Sequence, residues 1–177
     1  MDKDQFRKKS IQELKNILPH PNIYYKQKII EKQLLNIIKQ TNSKNILAYI
    51  PLKMEFNTKN LIKIIRRKSN INIFVPFMQT VSFKSVKYRL PIYKKKFGIY
   101  EPNNSLFKIR NIDLIIVPVV GVDGVMKRVG FGKGMYDRFF ENLPNKPTVV
   151  FVQLKTCFTK KIITNEYDIR ADYYITS

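Results

Sequence analysis

The chain reads as an α/β protein: an open, mainly parallel sheet with helices on both faces, in a three-layer α/β/α arrangement. Three observations predict it. Amphipathic helical stretches alternate with short apolar runs along the sequence, as a parallel sheet with crossover helices requires. One run, Leu114 to Val119, is apolar throughout, as expected of a strand covered on both faces. A glycine-rich stretch lies just after that run, and open sheets of this type bind ligands beyond the carboxyl ends of their strands.

The elements follow in order. Residues Lys3 to Leu18 read as a basic helix with Phe6, Ile11, Leu14, Ile17 and Leu18 on one stripe. Pro19-His20-Pro21-Asn22 ends it, because proline disfavours helix in the residue before it. A second helix runs from Tyr24 to Lys39, with Ile29, Ile30, Leu34, Leu35, Ile37 and Ile38 apolar. Asn45 to Ile50 reads as a buried strand stopped by Pro51. Thr58 is placed to N-cap a helix through Lys68, whose apolar positions are Leu61, Ile62, Ile64 and Ile65. Ile71 to Pro76 is a short strand, and Ser82 to Arg89 alternates weakly, as a strand or hairpin arm would. After Leu114–Val119, the run Val122-Asp123-Gly124-Val125 reads as a tight Asp-Gly hairpin turn. The glycine-rich stretch is its return arm, entering a helix near Tyr136. With no internal repeat, low-complexity tract or linker, residues 1–177 are read as one domain.

Composition bounds the class. At 177 residues and 44% hydrophobic, with 12 Phe and 10 Tyr, the chain has enough apolar side chains to fold around a core. The single cysteine, Cys157, permits no internal disulfide and points to a reducing compartment. The polar start MDKDQFRKKS is no signal peptide, and no apolar run approaches a membrane span. The expectation is a soluble, cytoplasmic monomer.

The net charge of +20 points toward anionic partners. It is spread over the whole chain, however. The clusters Arg7-Lys8-Lys9, Arg66-Arg67-Lys68 and Lys94-Lys95-Lys96 are short enough to be solvated faces. The charge permits RNA binding without arguing for it.

The stretch Arg128-Val129-Gly130-Phe131-Gly132-Lys133-Gly134-Met135-Tyr136-Asp137-Arg138 holds three of the six glycines. Glycines allow positive φ and close approach of a ligand to the backbone. Lys and Arg beside them suit a phosphate, and Asp137 could hold the Mg²⁺ that accompanies it. The same residues also fit a glycine-rich turn carrying solvated charges. Spacing rules out the GxxxxGK[ST] phosphate loop and the GxGxxG dinucleotide fingerprint. His20, the only histidine, sits in a Pro-flanked turn, which argues against a histidine triad or a His-rich metal site. No histidine is placed to activate Cys157. Catalysis on this inventory would rest on charge placement and phosphoryl activation.

With the preceding Val117-Pro118-Val119-Val120-Gly121-Val122-Asp123, this stretch resembles the signature of the 5-formyltetrahydrofolate cyclo-ligase, or methenyltetrahydrofolate synthetase, family. Val129 and Met135 stand where Leu and Tyr are usual. The resemblance extends to Lys3-Asp4-Gln5-Phe6-Arg7, to Pro51 through Thr58 with its Glu55, and to Asn72-Ile73-Phe74-Val75-Pro76. Gly98-Ile99-Tyr100-Glu101-Pro102 and Tyr167-Asp168-Ile169-Arg170-Ala171-Asp172 continue it, with Tyr167 where His is frequent.

The resemblance implies ATP- and Mg²⁺-dependent conversion of 5-formyltetrahydrofolate to 5,10-methenyltetrahydrofolate, releasing ADP and phosphate. The formyl oxygen is phosphorylated, and N10 then closes the ring. Lys3 and Arg7 would contact the ATP phosphates. Arg128, Val129 and the loop Gly130-Phe131-Gly132-Lys133-Gly134-Met135-Tyr136 would wrap ATP, with Lys133 and Arg128 acting in catalysis. Asp137 and Asp168 would bind Mg²⁺, and Glu55 would hydrogen-bond the pterin edge. Ile50, Tyr100, Phe131 and Met135 would supply surface for the folate, which could be polyglutamylated. The alternative is a basic RNA- or phosphate-binding protein without turnover, against which Glu55, Asp137 and Asp168 weigh, since carboxylates repel a polyanion.

Overall fold

The computed structural model describes residues 1–68, 70–94, 100–102 and 111–177. The first helix, α1 (Lys3–Ile17), begins at a capping box: Gln5 N–H donates to Asp2 Oδ1 (2.8 Å), and Asp2 N–H donates to Gln5 Oε1 (3.1 Å). It buries Phe6, Ser10 and Leu14; Ile11 of the expected stripe is only half-buried. The second, α2 (Ile23–Gln40), buries Ile30, Leu34, Ile37 and Ile38.

Strand β1 (Asn45–Leu47) is launched by Asp113, whose Oδ2 accepts from Lys44 N–H and Asn45 N–H. It is shorter than the expected Asn45–Ile50. After Ala48 N–H donates to Phe74 O, the chain leaves the sheet, and Tyr49 and Ile50 turn to a cavity. Helix α3 (Lys59–Arg66) starts after Thr58 as expected, but Thr58 does not cap it. Its hydroxyl donates instead to Tyr49 O at 2.6 Å. The Thr58 backbone is already helical (φ −70°, ψ −10°), unlike the extended conformation usual for a capping residue.

Strands β2 (Asn72–Met78) and β3 (Phe83–Lys87) form an antiparallel hairpin, so the weakly alternating segment is a hairpin arm. Short strands β4 (Tyr93–Lys94) and β5 (Tyr100–Glu101) pair separately. Lys95, Lys96, Gly98 and Ile99, parts of the segments singled out above, lie outside the described residues. Strand β6 (Leu114–Pro118) is buried throughout. Beyond it come β7 (Gly121–Val122), β8 (Arg128–Val129), α4 (Met135–Glu141), β9 (Thr148–Val152) and β10 (Tyr173–Ile175).

The main sheet has six strands in the order β10-β9-β6-β1-β2-β3, parallel except for the β2–β3 pair. Alternation along the strands serves two cores, since successive side chains point to opposite faces. Ile46, Ile73, Val75, Leu114 and Ile116 pack with Leu34, Leu61 and Ile65 of α2 and α3. Leu47, Phe74, Ile115, Val117 and Phe151 pack with Tyr136 and Phe139 of α4. This is the α/β architecture expected, with helices on both faces. No helix among the described residues is long and apolar enough to cross a membrane.

The hairpin after β6 exists, but its turn is not the tight Asp-Gly kind. Gly121 pairs with Val129 and Val122 with Arg128, leaving a loop from Asp123 to Lys127. Met126, not Gly124, takes positive φ (60°). Asp123 dictates this wider shape. Its Oδ1 accepts from Val125 and Lys127 N–H, and its Oδ2 from Ile163 and Thr164 N–H and the Thr164 hydroxyl. Burial works to raise the Asp123 pKa, and these hydrogen bonds overcome it and leave the carboxyl below its ordinary value.

Candidate functional site

Arg128 lies at the centre of the site. On β8, its side chain is buried; Nε donates to Pro118 O (3.3 Å), and the guanidinium lies 4.9 Å from the Tyr136 ring centroid. Burial lowers its pKa, while Asp137, Tyr136, Glu55 and Asp168 act to raise it. Three carboxylates from separate segments thus act electrostatically on one buried cation, and one of them, Asp137, lies next to it. Asp137, in the first turn of α4, approaches Arg128 Nη1 at 3.6 Å through Oδ2. Its other oxygen, Oδ1, is buried and accepts no hydrogen bond.

The glycine loop wraps around this centre. A Cβ on Gly130 would fall 2.5 Å from Arg128 Nη2, so the loop passes this close only because residue 130 has no side chain. Gly132 and Gly134 take positive φ (94° and 58°), which L-residues with a Cβ rarely adopt. Helix α1 docks onto the loop. Arg7 Nε donates to Gly130 O (2.7 Å), and Arg7 also pairs with Asp4. Lys3 Nζ reaches both oxygens of Asp168 (2.6 and 2.5 Å). A small third cluster of Phe6, Val129 and Cys157 holds the helix in place. Val129 is thus a packing residue behind the loop. Cys157 is buried, and burial pushes its thiol pKa up, the opposite of a nucleophile's requirement.

Beside Arg128 opens a cavity of about 350 Å³, within the range of small-molecule sites. Tyr49, Ile50, Leu52 and Glu55 line it from the segment after β1, and Pro76, Met78, Phe83 and Pro118 from the strands. Arg128, Phe131, Lys133, Gly134, Met135 and Tyr136 complete it. The walls are mainly apolar, with few polar groups. Glu55 is one: its Oε2 accepts from Leu52 N–H (2.8 Å). Burial raises the Glu55 pKa to about 7, against the lowering pull of that hydrogen bond and of Arg128. The segment carrying it is fixed from behind, because Tyr49 OH donates to Phe56 O (2.9 Å).

Of the expected folate contacts, Ile50, Glu55, Phe131 and Met135 meet at this cavity. Tyr100 does not line it. Tyr100 is exposed on β5, with the Lys59 ammonium 6.0 Å from its ring centroid, while its neighbour Glu101 is buried and accepts from Met78 N–H. Sequence reasoning gave no site role to Tyr49 or Phe83, which read there only as strand residues, or to Leu52 and Pro118, which stood in the matching segments without a role.

The donor set can be tested against the implied metal. Mg²⁺ takes oxygen ligands and keeps several waters or phosphate oxygens, so one buried, unpartnered carboxylate oxygen suits it. Asp137 Oδ1 meets that requirement. Asp168 is more committed, with Lys3 on both oxygens and Asn165 N–H on Oδ2. No group of three or more His, Cys, Asp or Glu able to hold a metal occurs among the described residues. A metal here would therefore share Asp137 with a phosphate-bearing ligand.

Residues 1–176 match the family model described as the 5-formyltetrahydrofolate cyclo-ligase family. A 5-formyltetrahydrofolate cyclo-ligase of Haemophilus influenzae is 30% identical over 125 residues, 66% of this chain and 66% of that protein. One of Mycoplasma pneumoniae is 24% identical over 176 residues, 99% of this chain and 98% of that protein. Among solved structures, the 5,10-methenyltetrahydrofolate synthetase of Aquifex aeolicus superposes with a TM-score of 0.80 at 23% identity, covering 99% of this chain and 90% of that one. That structural likeness establishes the shared fold.

Proposed function

Because the chain belongs to the 5-formyltetrahydrofolate cyclo-ligase family, we propose that it converts 5-formyltetrahydrofolate into 5,10-methenyltetrahydrofolate with ATP at the Arg128 cavity. The observation that carries this reading is the joining of two unlike surfaces. An apolar slot bearing Glu55 opens directly onto a cationic glycine loop beside the unpartnered Asp137 oxygen. ATP carried with Mg²⁺ would supply the phosphoryl group that turns the formyl oxygen into a leaving group, so that N10 can close the ring.

The chain's own residues do the positioning. Glu55 orients the pterin by accepting from its edge. Ile50, Phe131 and Met135 exclude water from the reacting atoms. Arg128 and Lys133 hold negative charge that develops on the transferred group, the electrostatic term that dominates such chemistry. Lys3, now paired with Asp168, and Arg7, now bound to Asp4 and Gly130 O, would turn to the ATP phosphates from α1. Asp137, helped by Asp168, would hold the metal. In this reading residues 1–177 form one cyclo-ligase domain acting as a cytoplasmic monomer, and the basic surface attracts polyglutamylated folate.

Mixing the protein with MgATP and 5-formyltetrahydrofolate tests the activity. The expected result is the absorbance of the methenyl product together with folate-dependent ADP release. Absence of both, with folded protein, overturns it.

A further inference from the structure

We infer that Arg138 is a positioning residue for this reaction, tying two segments of the cavity wall together and fixing the backbone from which Lys133 projects. The inference rests on the cyclo-ligase reading. Arg138 lies on α4, and its planar guanidinium serves acceptors from two directions. Nη2 donates to Lys133 O (2.5 Å) and lies 3.5 Å from Met135 Sδ. Nε donates to Val81 O, in the turn between β2 and β3. Next to Val81, the Ser82 hydroxyl donates to Met135 O (3.3 Å).

These bonds join segments that meet at the cavity. Met78 and Phe83, on either side of the β2–β3 turn, line it, as do Lys133, Gly134 and Met135. The strand pair that flanks the turn is held by packing, for Phe83 stacks on Phe139 with centroids 4.4 Å apart. The tip of the turn is different: Val81 is 66% exposed, the turn is closed by Gln79 N–H donating to Ser82 O (2.9 Å), and polar bonds from Arg138 and Ser82 tie it to the α4 side. The guanidinium also lies close against Gly134, where a Cβ would come 2.9 Å from Nη1. A fixed Lys133 carbonyl fixes the 133–134 peptide, and with it both the Lys133 stem and the Gly134 N–H. A lysine cannot reproduce this, because an ammonium is a compact point charge without the fork that spans two carbonyls.

The test compares Arg138→Met, Arg138→Lys and Ser82→Ala with the wild type, in MgATP and 5-formyltetrahydrofolate, alone and in a Lys133→Ala background. Arg138→Met is expected to lower kcat on the order of 10- to 100-fold, the cost of misplacing a catalytic group by about an ångström. The Michaelis constant for folate should change far less. Arg138→Lys should restore little, Ser82→Ala should shift kcat in the same direction, and Arg138→Met should cost little more once Lys133 is gone. Three results overturn the inference: wild-type kcat in Arg138→Met, full recovery in Arg138→Lys, or losses that multiply with Lys133→Ala. If Arg138→Met does not fold, Arg138→Lys carries the comparison, and wild-type turnover there is equally fatal. Because the wild type serves as reference, failure of the cyclo-ligase reading would appear separately, as no turnover in any sample.

Discussion

Replacing Gly130 with alanine should disable the site through one displaced guanidinium. The new Cβ would stand 2.5, 2.6 and 2.7 Å from Nη2, Cζ and Nη1 of Arg128, where ordinary contact begins at 3.4 Å. Arg128 must therefore retreat by about 0.9 Å, the difference between 3.4 and 2.5 Å. The guanidinium is the far end of a flexible side chain and can swing aside as one plane, but only by leaving its present seat. The group is also pinned by Pro118 O, Asp137 and Tyr136. A displacement of that size costs about 100-fold in kcat/KM, equivalent to about 2.7 kcal/mol of transition-state stabilisation. Initial rates of methenyl formation, with a thermal melt alongside, measure it. A Gly130→Ala enzyme within about threefold of wild type in kcat/KM would refute the reasoning that Arg128 must sit where it does. Gly132→Ala is the control. Its Cβ meets nothing nearer than 3.7 Å, from Arg7, but φ of 94° is strained for alanine. It should therefore lower the melting temperature without displacing Arg128.

Two further predictions concern the carboxylates. Asp137→Asn should suppress turnover and weaken the Mg²⁺ dependence of ATP binding while the protein still folds, with some loss of stability because buried Arg128 keeps fewer compensating charges. A rate and Mg²⁺ response equal to wild type would remove its metal role. Glu55, with its pKa raised to about 7, should make the protein less stable relative to Glu55→Gln as pH rises from its ordinary carboxylate value through 7. The sign follows because the folded state favours the protonated form, so stabilisation is full below the unfolded pKa and is lost above the folded one. The difference amounts to no more than about 3 kcal/mol. Folate binding should run the other way, tightening as Glu55 ionises to accept from the pterin. Parallel melts and folate titrations from pH 5 to 8 check both, and pH-independent differences would sink them.

Much of the fold was legible because it is written locally. The periodicities that place α1, α2 and α3, and the unbroken apolar run of β6, each arise from neighbouring residues that share one face. The glycine loop was legible for the same reason: its residue types announce a close approach of backbone. Long-range choices left no such trace. Thr58 has a capping residue's identity, yet its hydroxyl answers Tyr49 O. Asp123 and Gly124 spell a tight turn, yet Asp123 is drawn wide by Ile163 and Thr164, some forty positions on. Tyr100 sits in a recognisable motif, yet it is its buried neighbour Glu101 that ties the segment to β2. Arg138 read only as one of the cations beside the glycine loop, because nothing nearby in sequence foretells Val81 as its partner.

The ion pair between Lys3 and Asp168 spans 165 positions, and it bears on how the protein is made. The cationic loop emerges from the ribosome after four of the six strands of the main sheet, and Lys3 emerges before all of them. The segment carrying Asp168 comes later still. The part of the cavity wall drawn from residues 49–83 is therefore made long before Arg128, Phe131 and Met135, which complete it. The Lys3–Asp168 pair thus closes only after the glycine loop has been made, so the anchoring of α1 at this point is among the last steps of assembly.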